Sequence, residues 1–316
     1  MTKKILVTAA TGDTGRHVVR LLLEKGYKVR ALAHSQDVRS EALAKSGAEV
    51  VFGDLLDLPF VTEATKDIYG AYFCYPIKPG IIQATAYFAQ AAEENGLSGI
   101  VNMSQISASR DSKSHVAQDH WIAEQVFNWS GVTVAHIRPT YFAEWLLYLA
   151  PMISQGVMNV PFKIGKHAPI ACEDQARVIV NILDDPKPHA GKVYPLFGPV
   201  EFTHEELARE VGKALGIDIQ YQYVDFDAFL QLIKSAAQPR AEHTARAMYG
   251  ALKEGKAGQE AAAFLGQHLR EVALDHMNGV FAGTNDVVLK IGGVKGTTVK
   301  EFIEKNRQAF DVKRKA

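Results

Sequence analysis

Short apolar runs alternate with longer stretches of helical period through the first half of the chain. Residues 4–8 centre on the continuous run Ile5-Leu6-Val7, as expected of a strand covered on both faces of a parallel sheet. Over 16–25 the apolar side chains Val18, Val19, Leu22 and Leu23 share one helical face, and Gly26 stands where a left-handed cap ends the helix. The two patterns then take turns. Strands are predicted at 29–33, 50–52, 71–74, 99–104 and 132–137, and helices at 38–46, 81–95 and 115–129, closed by Gly47, Gly96 and Gly131. Strand and helix alternating at this spacing imply right-handed βαβ crossovers, and so an α/β fold on a doubly wound parallel sheet.

The second half is less regular. A helix is predicted at 174–183 with Asp174 as its cap, a strand at 192–196, and a helix from the capping box Thr203-x-x-Glu206 through Leu215. A strand at 219–224 follows, then a mostly helical stretch from 225 to 277 with an Ala-rich run at 259–265. A last capped helix is predicted at 298–310. The pattern divides the chain into a nucleotide-binding part at 1–155 and a smaller, mostly helical C-terminal lobe at 156–316, with segments of about 170–200 returning to the sheet.

Composition narrows the class. Of 316 residues 47% are hydrophobic and 22% charged, and Lys plus Arg equals Asp plus Glu at 35 each. Such a balance argues against a protein built to bind nucleic acid or an anionic membrane surface. Cys74 and Cys172 lie too far apart for CxxC chemistry. The N-terminus enters a strand without a signal-like apolar region, and the apolar segment at 145–153 is much shorter than the ~20 residues of a membrane span. A cytoplasmic setting is the expectation. The eleven histidines show no metal-ligand spacing such as HExxH, so no metal is expected. His268 and His276, about two turns apart, read as a polar helix face near a cleft. Ser104 lacks the Gly-x-Ser-x-Gly elbow of a hydrolase.

The chemistry concentrates between the first strand and first helix, at Thr8-Ala9-Ala10-Thr11-Gly12-Asp13-Thr14-Gly15. A dinucleotide needs a tight turn, close backbone approach to its pyrophosphate, and a helix N-terminus facing the anion. Gly12 suits the approach and Gly15 the close packing of helix on strand, while Ala9 replaces the first glycine of the usual fingerprint. At the end of the second strand Ala31-Leu32-Ala33-His34-Ser35 carries no acid, and Arg39 follows. An acid there would hold ribose hydroxyls and repel a 2′-phosphate, so the composition leans to NADP(H), with NAD(H) as the alternative. His34 and Ser35 either bond the phosphate or ribose or are solvated loop residues.

Taken together, the Val7–Gly15 loop, Gly53-Asp54-Leu55, Ile137-Arg138-Pro139-Thr140-Tyr141-Phe142, Val193-Tyr194-Pro195-Leu196-Phe197-Gly198-Pro199, the helix start Glu205-Glu206-Leu207 and Gly279-Val280-Phe281-Ala282-Gly283 resemble the NmrA-like branch of the atypical short-chain dehydrogenases, over nearly the whole chain. The resemblance implies an NAD(P)-binding Rossmann domain and a lobe closing a substrate cleft. It further implies either NADPH-dependent reduction of quinones, dyes or aldehydes, or cofactor binding without turnover in a redox sensor or co-regulator. By position it implies Asp54 and Leu55 beside the adenine, Tyr75 and Pro76 beside the nicotinamide ribose, Ser104 near the ring, and Pro139, Thr140 and Tyr141 as the wall along the carboxamide.

One departure matters. The Tyr-x-x-x-Lys pair of short-chain dehydrogenases falls on Val116 and His120, so the usual acid is missing. His120 either takes the lysine's place on the ribose, serves as proton donor with Ser104 nearby, or is a plain helix histidine. Residues 141–149 read as a core helix, with the lining of an apolar pocket as the alternative. The expected partner is a small apolar or aromatic substrate, and a homodimer is compatible with the pattern.

Overall fold

The computed structural model describes residues 2–235 and 255–310. Elements are numbered along the chain. Strands β1 (Lys4–Val7), β2 (Lys28–Ala33), β3 (Glu49–Phe52), β4 (Gly70–Phe73), β5 (Gly99–Met103), β6 (Val134–Pro139) and β9 (Val193–Leu196) form one sheet in the order β3-β2-β1-β4-β5-β6-β9. Every pairing in it is parallel. This is the doubly wound arrangement that the alternating pattern predicts, with strand order reversing between β1 and β4.

Helices cover both faces. On one, α1 (Asp13–Glu24), α8 (Cys172–Asp184) and α12 (Val287–Gly292) bury Val18, Val19, Leu22, Ile179 and Val288 against Ile5 and Val7. On the other, α3 (Leu58–Ala64), α4 (Ile81–Glu94) and α5 (His115–Trp129) pack around Phe73, whose ring lies 4.9 Å from Phe88 and 5.2 Å from Phe127. Gly53 lets the Phe60 ring lie close to the backbone, since a Cβ on it would stand 2.4 Å from that ring and push it aside.

The remaining elements build the lobe: α6 (Trp145–Tyr148), α7 (Ala150–Ile153), β7 (Val157–Val160), β8 (Lys166–His167), β10 (Phe202–Thr203), α9 (His204–Leu215), β11 (Gln220–Tyr223), α10 (Phe226–Ser235), α11 (Gly255–Met277) and α13 (Val299–Lys305). Two small strand pairs, β7 with β11 and β8 with β10, brace a separate apolar core around Leu146, Ile153, Val211 and Phe302.

Several boundaries differ from the sequence pattern for local reasons. Helix α1 starts at Asp13, three residues early, because Gly12 acts as its N-cap. Helix α3 was hidden in an apolar stretch; Asp57 caps it by accepting from Phe60 N. Helix α8 is flanked by Ala171, not Asp174. The Asp174 carboxylate instead accepts from Thr297 N at 2.7 Å and Thr297 Oγ1 at 3.0 Å, pinning a distant loop to the sheet face. The expected helix over 141–149 begins only at Trp145. Before that point Ile170 N donates to Tyr141 O and Ala143 N donates to Ile170 O, both at 2.9 Å, which holds 141–143 extended. The final helix ends at Lys305 and a 3-10 turn, Arg307–Phe310, completes it. The part of the expected helical stretch at 236–254 lies outside the described residues. No helix among the described residues is long and apolar enough to cross a membrane.

Candidate functional site

The parallel strands all end at one edge of the sheet, and the loops leaving them carry the sequence-predicted site. The β1–α1 loop sits at the reversal of strand order. Thr8 ties the two halves there: its hydroxyl donates to Cys74 O at 3.0 Å and accepts from Cys74 N at 2.7 Å. Ala9, in the place of the first fingerprint glycine, takes a left-handed φ of 47°. Gly12 N donates to Ala9 O at 2.9 Å and closes the turn. A Cβ on Gly15 would lie 2.2 Å from Ala9 O, so only glycine lets α1 approach the loop this closely. No side chain caps α1, which leaves its first N–H groups and its dipole for an anion. These residues fit a pyrophosphate. The neighbouring side chains are engaged elsewhere: Thr14 Oγ1 donates to Gln175 Oε1 at 3.1 Å, and Tyr148 donates its hydroxyl to Asp13. The loop therefore offers Thr11 and its backbone to the ligand more than Asp13 or Thr14 side chains.

After β2, His34 and Ser35 are exposed at the rim. Arg39 is paired with Asp37 at 2.6 Å. Asp37, unanticipated as a partner, also caps α2 (Val38–Lys45) through Arg39 N and Ser40 N. After β3, Asp54 accepts from Leu56 N at 3.0 Å and Leu55 is buried. After β4, Tyr75 is buried with its hydroxyl donating to Pro79 O at 3.1 Å, while Pro76 is exposed. Burial, aided by the charge of Asp54, pushes the Tyr75 phenol up to about 12.

The loops after β5 and β6 are stitched together. Ser104 N donates to Ile137 O at 2.8 Å and Ile106 N to Pro139 O at 3.1 Å. The Ser104 hydroxyl is buried without a partner among the described residues. Thr140 N donates to Leu196 O at 3.0 Å, and its hydroxyl donates to Phe281 O of the lobe at 3.2 Å. A two-pronged pair, Arg138 to Glu124 at 2.8 and 2.5 Å, locks α5 against the end of β6. That lock sets His120, which is buried with Nδ1 unpartnered among the described residues. Burial, with nearby His268 adding, holds the His120 imidazole down to about 3. It is neutral at physiological pH, and Val116 beside it is buried and apolar. His268 is not on a polar face, since it is buried and shares a 2.8 Å hydrogen bond with Ser114 Oγ, the cap of α5.

Two further features have no local signal in the sequence. Glu144 is 4% exposed and accepts from Cys172 N at 3.0 and 3.1 Å. Burial raises its carboxyl to about 7, with the Asp13 charge adding. Beside Tyr141, three histidines from separate elements converge: His167 of β8, His204 at the start of α9 and His276 near the end of α11. All three are buried, and burial lowers each imidazole's affinity for a proton. Both ring nitrogens of His167 and of His276, and Nε2 of His204, have no hydrogen-bond partner among the described residues. Each such orphan costs about 1 kcal/mol or more. The spacing of the three in sequence is irregular, which is why no motif announced them.

Fold and loop geometry together define a dinucleotide-binding protein of the doubly wound class. The sequence profile of the NmrA-like family matches residues 1–301, and the chain belongs to that family. It is 26% identical over 309 residues to the NAD(P)H azoreductase of Xenophilus azovorans, covering 97% of this chain and 99% of that protein. It is 27% identical over 257 residues to quinone oxidoreductase 2 of Escherichia coli, covering 79% and 89%. Among solved structures, an NADPH-dependent quinone oxidoreductase from Escherichia coli complexed with NADPH superimposes with a TM-score of 0.77 at 23% identity, covering 96% of this chain and 99% of that one.

Proposed function

We propose that the protein is an NADPH-dependent oxidoreductase that reduces a small, apolar, conjugated acceptor of the quinone, enone or aldehyde class. NADPH, when bound, supplies a hydride to the acceptor, and the accompanying proton comes from water. The observation that carries the reading is the uncapped, glycine-lined helix N-terminus at Gly12 and Gly15, together with a buried, neutral Val116 and His120 where a Tyr-Lys pair would stand. That stretch of α5 holds no strong acid, so positioning of the acceptor carries the catalysis and solvent supplies the proton. Acceptors whose reduced form needs no enzyme-held acid suit it best.

In this reading Ala9, Thr11, Gly12, Asp13, Thr14 and Gly15 cradle the pyrophosphate, His34, Ser35 and Arg39 meet the 2′-phosphate, and Asp54 and Leu55 border the adenine. Tyr75, Pro76, Pro139, Thr140 and Tyr141 frame the nicotinamide, with Ser104 and His120 as hydrogen-bonding groups beside it. The relatives' names, an azoreductase and a quinone oxidoreductase, support NAD(P)H-dependent reduction without fixing the acceptor. The test is NADPH oxidation over a panel of quinones, enones, azo dyes and aldehydes, run beside direct NADPH and NADH binding. Turnover on a conjugated acceptor with NADPH preferred is the expected result. Tight NADPH binding with no turnover on any acceptor overturns it in favour of a cofactor-binding sensor, a reading that the same missing Tyr-Lys pair favours. Turnover unchanged in His120→Ala removes His120 from the mechanism.

A further inference from the structure

We infer that His167, His204 and His276 form a binding site for a divalent transition-metal ion of the zinc class. The ring centroids of the three lie 4.4, 5.3 and 5.4 Å apart. Their candidate ligand nitrogens all fall within 4.8 Å of one another. Three imidazoles on one tetrahedral zinc, with Zn–N of about 2.0–2.1 Å, place their ring centres about 5 Å apart. Binding the ion draws the nitrogens together, from within 4.8 Å of one another to about 3.3 Å.

The surroundings leave the ring nitrogens little else to bind. Phe281 stacks on His276 at 4.0 Å and 7°, and Phe162 stacks on His204 at 4.8 Å and 18°. Aromatic faces fix the orientation of the imidazoles and offer their nitrogens no hydrogen bond. An imidazole nitrogen without a hydrogen-bond partner presents the lone pair that a borderline cation selects. No fourth His, Cys, Asp or Glu joins the group among the described residues, so three protein ligands leave one tetrahedral position for water or an exogenous ligand.

The backbone brings the ligands together by close approach. Gly165 has a φ of +114°, and a Cβ on it would stand 2.1 Å from His276 O. That contact seats β8 against the end of α11. His167 pairs in register with Phe202, and the Thr203 capping box starts α9 immediately at His204. The inference is independent of the reductase reading, because the site needs neither cofactor nor turnover.

The test uses the whole chain, stripped with a chelator, exposed to zinc or cobalt(II), then dialysed free of unbound metal. Elemental analysis should find about one equivalent per chain, and cobalt should show the intense visible absorption of tetrahedral coordination. His167→Ala, His204→Ala and His276→Ala should each lower retained metal at least tenfold, whereas His115→Ala, at an exposed position, should retain it. Retention below a tenth of an equivalent by the wild type, an octahedral cobalt spectrum, or retention undiminished in the three folded variants overturns the site. If the alanine variants do not fold, the wild-type stoichiometry and cobalt spectrum decide alone.

Discussion

Glu144 shows how one residue ties stability to pH. Its carboxyl is raised to about 7 in the fold, chiefly by burial, against an ordinary value of 4.5. The folded chain therefore holds a proton there that the unfolded chain releases. The stability it contributes is fully present below about pH 4.5 and is lost as pH rises through about 7. In Glu144→Gln the decline in urea-measured stability between pH 5 and pH 8 should shrink, by up to ~3 kcal/mol on the scale of 1.36 kcal/mol for each pH unit of displacement. An equal decline in both proteins would refute this. Ala9 is the second such residue. Its left-handed φ of 47° strains a side chain that glycine lacks, and Ala9→Gly should raise stability by roughly 0.5–1 kcal/mol despite glycine's freer unfolded chain. Thermal unfolding of the pair measures it.

At the scale of elements, legibility followed the range of the forces. Helix α5 was readable to the residue because Ser114 caps it and Gly131 follows it, both local signals. The β1–α1 loop was readable because its glycines answer a steric need within seven residues. The short strands β8 and β10 were not, because each consists of two residues whose partner lies 35 or more positions away. The 141–149 stretch has helical periodicity but spends its first backbone groups on Ile170, a tertiary choice that no local pattern encodes. The histidine cluster was invisible for the same reason, and Asp37 escaped notice because its carboxylate serves as cap and ion-pair partner at once. Gly165 is the element-scale test. Gly165→Ala places a methyl against His276 O at a φ that disfavours any side chain, so it should cost more than ~2 kcal/mol and loosen α11 first. Hydrogen exchange should show protection falling at α11 before it falls in the sheet, and uniform protection would contradict the docking role.

For the whole molecule, the two faces of the sheet and the lobe each have a separate apolar core, and the loops of the candidate site leave the sheet at one edge. A ligand that touches the loops after β1, β2, β4 and β6 at once should stabilise the assembly as a unit. At NADPH concentrations a hundred times its Kd, the gain should approach ~2.7 kcal/mol, read as a single-transition rise in Tm. A rise confined to one of two transitions would mean that the lobe unfolds on its own and the cofactor grips the sheet alone.

The threading of the sheet also sets a schedule for synthesis. Val18, Val19 and Leu22 of α1 leave the ribosome well before their cover, helix α8, which is made 150 or more residues later. At a translation rate of about 5–20 residues per second, that face stays open for roughly 8–30 s. The nascent chain must spend that time with an unfinished apolar surface, so chaperone capacity during translation, more than the stability of the finished fold, should limit its yield.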